Sequence, residues 1–388
     1  MSSDSLPDSL PFFAQNEHSL NPLHYDKVRA SPKPSSPPGK NTFSKPSALL
    51  VISKELSAIM MLLTLLSIIL LNLTTCFAVG PGFVWQADTS AKTRSQIRQG
   101  FNDALTLARV VAVTGKPCDP AFLRYFRPQD WPFVQGMFRQ IANIPLNLGI
   151  DQNSINSLLQ SFNTPAAYNP LFEGLSIAAG DNPFLKEGSL PNCGSSFPPN
   201  AYMSFDYTPS AKFSGLMSIC PEAEVLTRRL DLAGTENPPA WARVNNDPNG
   251  QTLPGWGCDG LGDHDNGFMT VTGSTVLHEI FHWPIILQGV PGYNTFIPPD
   301  SQSNHHIGDN TPGTAVGLAH SYGPYNARLI NMVARNPVTG KSQSIQNADN
   351  YAWYALSLYW SWKCGKAFGP SQSDADKNII FQRKQPPA

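Results

Sequence analysis

The stretch VLHEIFHW, residues 276–283, constrains this chain more than any other. Val276, Leu277, Ile280 and Phe281 recur at helical spacing, which commits one stripe to a core. His278, Glu279 and His282 fall on the neighbouring face. Ser274 offers an N-cap, and Pro284 disfavours helix at Trp283, so the pattern predicts a helix over about 274–283. Side chains at i and i+4 stand about 6 Å apart on one face. Two imidazoles so placed can grip one ion, and the glutamate after the first projects beside an open coordination position. These donors predict Zn2+ held by His278 and His282, with Glu279 as general base toward a metal-activated water. The plain alternative is a surface helix carrying two histidines and a glutamate.

The other histidines weigh against that alternative. Of eight, six (His264, His278, His282, His305, His306 and His320) fall in one stretch, and imidazole is a preferred zinc ligand. A 41% hydrophobic content supports a real core. Only 14% of residues are charged, against roughly 25% in an average soluble protein. With 36 prolines, this points to long ordered loops. A net charge of −1, with no long charged run, gives no electrostatic reason for a nucleic-acid or membrane-surface partner.

Residues 1–58 are rich in Ser and Pro and read as a disordered leader, with a gene-model extension as the simplest account of it. An apolar run over 59–78 ends in Cys76-Phe77-Ala78. From Met60 or Met61 it reads as a secretory signal peptide, with a membrane anchor as the rival if it is retained. The expected product is secreted and extracellular. Its five cysteines, Cys118, Cys193, Cys220, Cys258 and Cys364, lack C-x-x-C spacing and predict two disulfides and one leftover thiol.

Within 79–369, read as one domain, apolar periodicity predicts helices over 91–114, 130–144 and, more weakly, 152–162. Residues 200–223 read as two short strands, 231–272 as loop, and 288–323 as a second loop holding three histidines. Two helices, about 326–335 and 348–363, close the domain, and 370–388 reads as a disordered tail. Trp353, Tyr354, Trp360 and Trp362 are expected in the core and cleft wall. Asp263, His264 and Asp265 are read as a turn rather than a second metal site.

HEIFH, with YGPYNARL at 322–329 and NADNYAWYA at 347–355, resembles the fungal deuterolysin-like and peptidyl-Lys metalloendopeptidases, the aspzincin group. The resemblance spans roughly residues 88–368. It implies a zincin-like α+β fold, mostly helical with a small sheet. It also implies a monomeric zinc metalloendopeptidase acting on protein or peptide substrates. The family tyrosine that donates to the oxyanion corresponds to Tyr322. Asp349 is placed to hold a ligand histidine, or else to serve as an acid in a helix's first turn. The family's third ligand is an aspartate three residues before that tyrosine, where this chain has Ala319. Asp309 is preferred as third ligand because it keeps a carboxylate, His320 is the alternative, and His305 and His306 come after it. The competing function is a secreted zinc-binding protein without protease activity.

Overall fold

Two glycines decide how closely the motif helix approaches the rest of the protein. In the computed structural model, helix α1 spans Ala91–Thr114, and the motif helix, described below as α4, spans Thr272–His282. A Cβ on Gly273 would lie 2.4 Å from Asp103 Cβ, and one on Gly100 would lie 2.8 Å from Thr272 Cγ2. Without side chains there, the two backbones pack at short range, and Ile97, Phe101, Ala104 and Ala108 bury against Val276 and Ile280 in one core. The structure describes residues 80–382, apart from 151–154, 162–167, 187–192, 197, 209–210, 222–225, 227–228, 244, 247–251, 302 and 310–319. The leader, the apolar run at 59–78 and residues 383–388 lie outside the described residues.

Helix α1 starts at Ser90, whose hydroxyl accepts from Thr93 N at 3.0 Å. Its second half is buried on all sides, from Leu107 to Val113. Helices α3 (Trp131–Ile141) and α6 (Ala348–Cys364) pack against it, and α2 (Pro120–Tyr125) and α5 (Pro324–Met332) pack against α6. Both α2 and α5 carry proline in their first turn, where its missing N–H costs nothing.

One four-stranded sheet stands beside the helices. Its strands are β1 (Gly82–Val84), β2 (Leu175–Ala179), β3 (Ala201–Phe205) and β4 (Gly215–Ile219), in the order β1-β2-β4-β3. The pairs β1–β2 and β2–β4 are parallel, whereas β3 runs antiparallel to β4, with Ala201 opposite Ile219 and Phe205 opposite Gly215. Strand β3 is therefore an edge, and it packs beside α4. The two strands expected within 200–223 are present as β3 and β4. The expected mixed helix-and-sheet class holds. Strand β2 escaped the pattern because it is buried on both faces and so lacks alternation.

Several expectations need correction. Val271, not Ser274, is the N-cap of α4: the helix begins two residues earlier, and Ser274 sits in its first turn, where its hydroxyl accepts from Val271 N. The helix stops at His282, with Trp283 extended ahead of Pro284, as the sequence requires. Residues 371–382 are no loose tail. Asp374–Gln382 form 3-10 turns, Ile380 is buried, and the Asp376 carboxylate accepts from Ser371 Oγ and from the Gln372 and Ser373 amides. A polar composition hid one apolar anchor and a self-capping aspartate. Trp362 is 40% exposed rather than in the core, while Tyr354 and Trp360 are fully buried. Two disulfides, Cys193–Cys220 and Cys258–Cys364, leave Cys118 as the free, exposed thiol among the described residues. No helix among the described residues is long and apolar enough to cross a membrane.

Candidate metal centre

The last turn and a half of α4 bring the Nε2 atoms of His278 and His282 to 3.1 Å from each other. Each ring is fixed from behind. His278 Nδ1 lies 2.8 Å from Asp349 Oδ1, and His282 Nδ1 lies 2.7 Å from the Ile307 carbonyl. A carboxylate and a carbonyl only accept, so each Nδ1 carries a proton, and a neutral ring then presents its Nε2 lone pair to the space between the two.

Asp309 completes the group. Its Oδ1 lies 3.2 Å from His278 Nε2 and 3.6 Å from His282 Nε2. The loop that delivers it is tied at two points: Ile307 O takes the His282 ring, and Gly308 O accepts from Ala348 N at 3.0 Å, at the start of α6. His278, His282 and Asp309 thus form a group that could hold a metal ion. The fit is testable on the donors themselves. With both imidazoles neutral, two lone pairs and a carboxylate oxygen are all acceptors, and either a cation or a proton on His278 Nε2 holds them together. Ligand bonds of about 2.0–2.2 Å in a tetrahedron put donor atoms roughly 3.4 Å apart. The observed spacings of 3.1, 3.2 and 3.6 Å bracket that value.

Electrostatics follow the geometry. Burial alone would lower the His278 pKa, but the Asp309 and Asp349 carboxylates outweigh it and raise it well above the usual value. His282 is pushed down by burial and by its charged neighbour His278. Burial would raise Asp309, yet the two imidazoles and the Tyr322 hydroxyl hold it well below the usual carboxylate range. Glu279 is buried and pushed up to about 7, first by desolvation; His278 opposes the rise, and the Asp309 and Asp349 charges add to it.

Tyr322 Oη donates to Asp309 Oδ2 at 2.8 Å, and its ring centroid lies 6.1 Å from that of His278. The tyrosine is 47% exposed and so faces the open side of the site. Asp349 does more than hold His278: its Oδ2 accepts from Gly323 N at 2.5 Å. One carboxylate therefore joins the motif helix to the Tyr322–Gly323 corner.

The remaining described histidines stay outside the metal group. His320 Nε2 lies 2.8 Å from Lys377 Nζ, and its Nδ1 lies 3.0 Å from Asn326 Nδ2, so it stays outside the metal group. His305 Nδ1 meets the Ile297 carbonyl, and His306 stands against Phe205 and Asp300. Asp265 is buried between Arg124 and Tyr125, and Asp263 contacts His264.

The metal group lies in a cleft of about 870 Å³. Ser274, Thr275 and Glu279 of α4, Ala201 to Met203 of β3, and Trp353 and Leu356 of α6 line it. Arg229, Lys377 and Asn378 also line it. None of these three carried a sequence signal, since each sits in a loop or in the segment read as a tail. No protein-family model, curated protein or solved structure matches this chain, so its assignment rests on the geometry of this site.

Proposed function

We propose that this chain is a secreted, zinc-dependent endopeptidase. The observation that carries the reading is the buried Glu279 carboxyl, next in sequence to a convergent His278–His282–Asp309 group and lining the same cleft. Two nitrogens and one carboxylate oxygen with an open fourth position are the donor set of catalytic zinc sites. When bound there, zinc supplies Lewis acidity, which brings the pKa of a water to about 7 and polarises a carbonyl.

The chain's own residues account for the rest. Glu279 takes a proton from the water that attacks the peptide carbon. As the C–N bond breaks, it returns that proton to the departing amine nitrogen. Burial of the Glu279 carboxyl favours its neutral form, which makes the carboxylate a stronger base toward the water's proton. Tyr322 stands at the open side of the site, and its hydroxyl can turn from Asp309 to donate to the developing oxyanion. Strand β3, an edge lining the cleft, offers unpaired backbone groups to an extended peptide. That arrangement suits a peptide chain better than a small molecule. The resemblance to the aspzincin group and a zincin-like fold belong to this reading, with Asp309 as third ligand. Two disulfides fit an extracellular protein, which supports secretion.

The test compares wild-type protein with Glu279→Gln, using casein hydrolysis and bound-zinc analysis. The variant should lose hydrolysis by at least about 10²-fold, the scale of general-base catalysis, while keeping its zinc. Wild-type protein that binds zinc but cleaves nothing would favour the non-proteolytic zinc-binding alternative. Activity that survives the substitution would remove Glu279 from the mechanism.

A further inference from the structure

The C-terminal segment after Pro370 reaches the metal centre through a short chain of contacts. Lys377 Nζ donates to Asp374 Oδ1 and Oδ2 at 2.8 and 3.0 Å, and lies 2.8 Å from His320 Nε2. Asp374 Oδ1 also accepts from Asn326 Nδ2 at 2.8 Å, and the same amide donates to the Tyr322 carbonyl at 2.9 Å. The His320 ring lies stacked beside the Tyr322 ring, with centroids 6.2 Å apart. The aliphatic stem of Lys377 covers Gly323, where a Cβ would fall 2.8 Å from Lys377 Cδ. Gly323 has φ +92°, so any other residue would be strained there.

That corner touches two carboxylates at the centre, Asp309 and Asp349. Tyr322 Oη donates to Asp309, a member of the metal group. Gly323 N donates to Asp349, which holds the His278 ring. The contacts therefore run from Lys377 and Asp374, through Tyr322 and Gly323, to Asp309 and His278. The segment is anchored independently of them, by buried Ile380, by the Asp376 cap and by the Lys377 carbonyl packed on Gly267.

We infer that Lys377 and Asp374 are positioning residues for the metal centre: they fix the Tyr322–Gly323 corner, and through it the orientation of Asp309 and His278. The inference rests on the proposed metal-dependent function and adds to it a part of the chain with no ligand of its own. Groups that orient ligands typically contribute 10–100-fold to metal affinity. Lys377→Met keeps the stem over Gly323 and removes the ammonium, and Asp374→Asn removes the opposite charge.

The experiment uses the full secreted chain. Zinc affinity is measured by competition with a chromogenic chelator, alongside kcat and KM on a casein peptide and the Tm of the metal-free protein. Both variants should weaken zinc binding by roughly 10-fold. They should lower kcat with KM little changed and leave the metal-free Tm close to wild type. Zinc affinity and kcat within about twofold of wild type in both variants would overturn the positioning role, because outer-sphere groups contribute more than that. So would a metal-free Tm loss above about 5 °C, which would mark a general stabiliser. If wild-type protein takes up no zinc, the proposed function falls as well. If wild type and variants bind zinc equally, only this inference falls.

Discussion

Asp349 is not one of the three residues of the metal group, yet it governs how His278 presents itself. One oxygen receives the His278 Nδ1–H and the other receives Gly323 N–H. Asp349→Ala should therefore free the ring to rotate and to change tautomer. Zinc affinity should fall about 10–100-fold, measured by chelator competition, with the helix content of the protein unchanged. An unaltered affinity would mean that packing alone orients His278. At this scale the sequence was partly legible. His278, Glu279 and His282 could be read directly, because their mutual geometry is set by one turn of helix. Asp309 could only be preferred over His320, because nothing local ties a loop residue to a helix 27 positions earlier in the chain. The bonds from His282 Nδ1 to Ile307 O and from Ala348 N to Gly308 O make that choice, and both are long-range.

Asp103 links α1 to the start of the helical turn at Leu232, whose N–H it accepts at 2.9 Å, and it also accepts from Gln99 at 2.7 Å. Burial pushes its carboxyl up to about 6; the hydrogen bonds from Leu232 and Gln99 oppose the rise, and Asp231 and Glu236 add to it. An unfolded carboxyl titrates near 3.9. Between these values the folded protein holds a proton that the unfolded chain has released. The stabilisation is complete below about pH 4, declines as pH rises, and is gone above about pH 6. Its size is at most about 3 kcal/mol. Asp103→Asn should flatten this contribution, so the Tm difference between variant and wild type should shift in the variant's favour from pH 4 to pH 7. A difference independent of pH would place the titration elsewhere. The elements themselves were unevenly legible. Helices α1 and α6 declared themselves by length and periodicity, whereas β1 is too short and β2 too evenly buried to produce a pattern.

For the whole molecule, the metal group joins parts of the chain that are distant in sequence: α4, the loop at Asp309 and, through Asp349, the start of α6. Anything that binds only the folded state stabilises it in proportion to its occupancy. Zinc held at about 1,000 times its Kd should add about 4 kcal/mol, which corresponds to a Tm rise of roughly 5–10 °C. EDTA should remove that rise, and His278→Ala should show no response to either reagent. A wild-type Tm indifferent to zinc and EDTA would contradict a preformed metal site. The Cys258–Cys364 disulfide closes a loop with a sequence separation of 106 and ties α6 to the loop before α4, so the scaffold itself should persist without metal.

By itself the sequence determined the pair of imidazoles, the adjacent carboxyl, the helix that carries them and the point at which that helix ends. All of these depend on spacing within a dozen residues and on local backbone preference. Only the tertiary structure decided that Asp309 and not His320 joins the pair, that Asp349 bridges His278 to Gly323, and that the segment after Pro370 packs against the site. Those outcomes come from buried hydrogen bonds and close packing between residues far apart in the chain, and no local pattern encodes them.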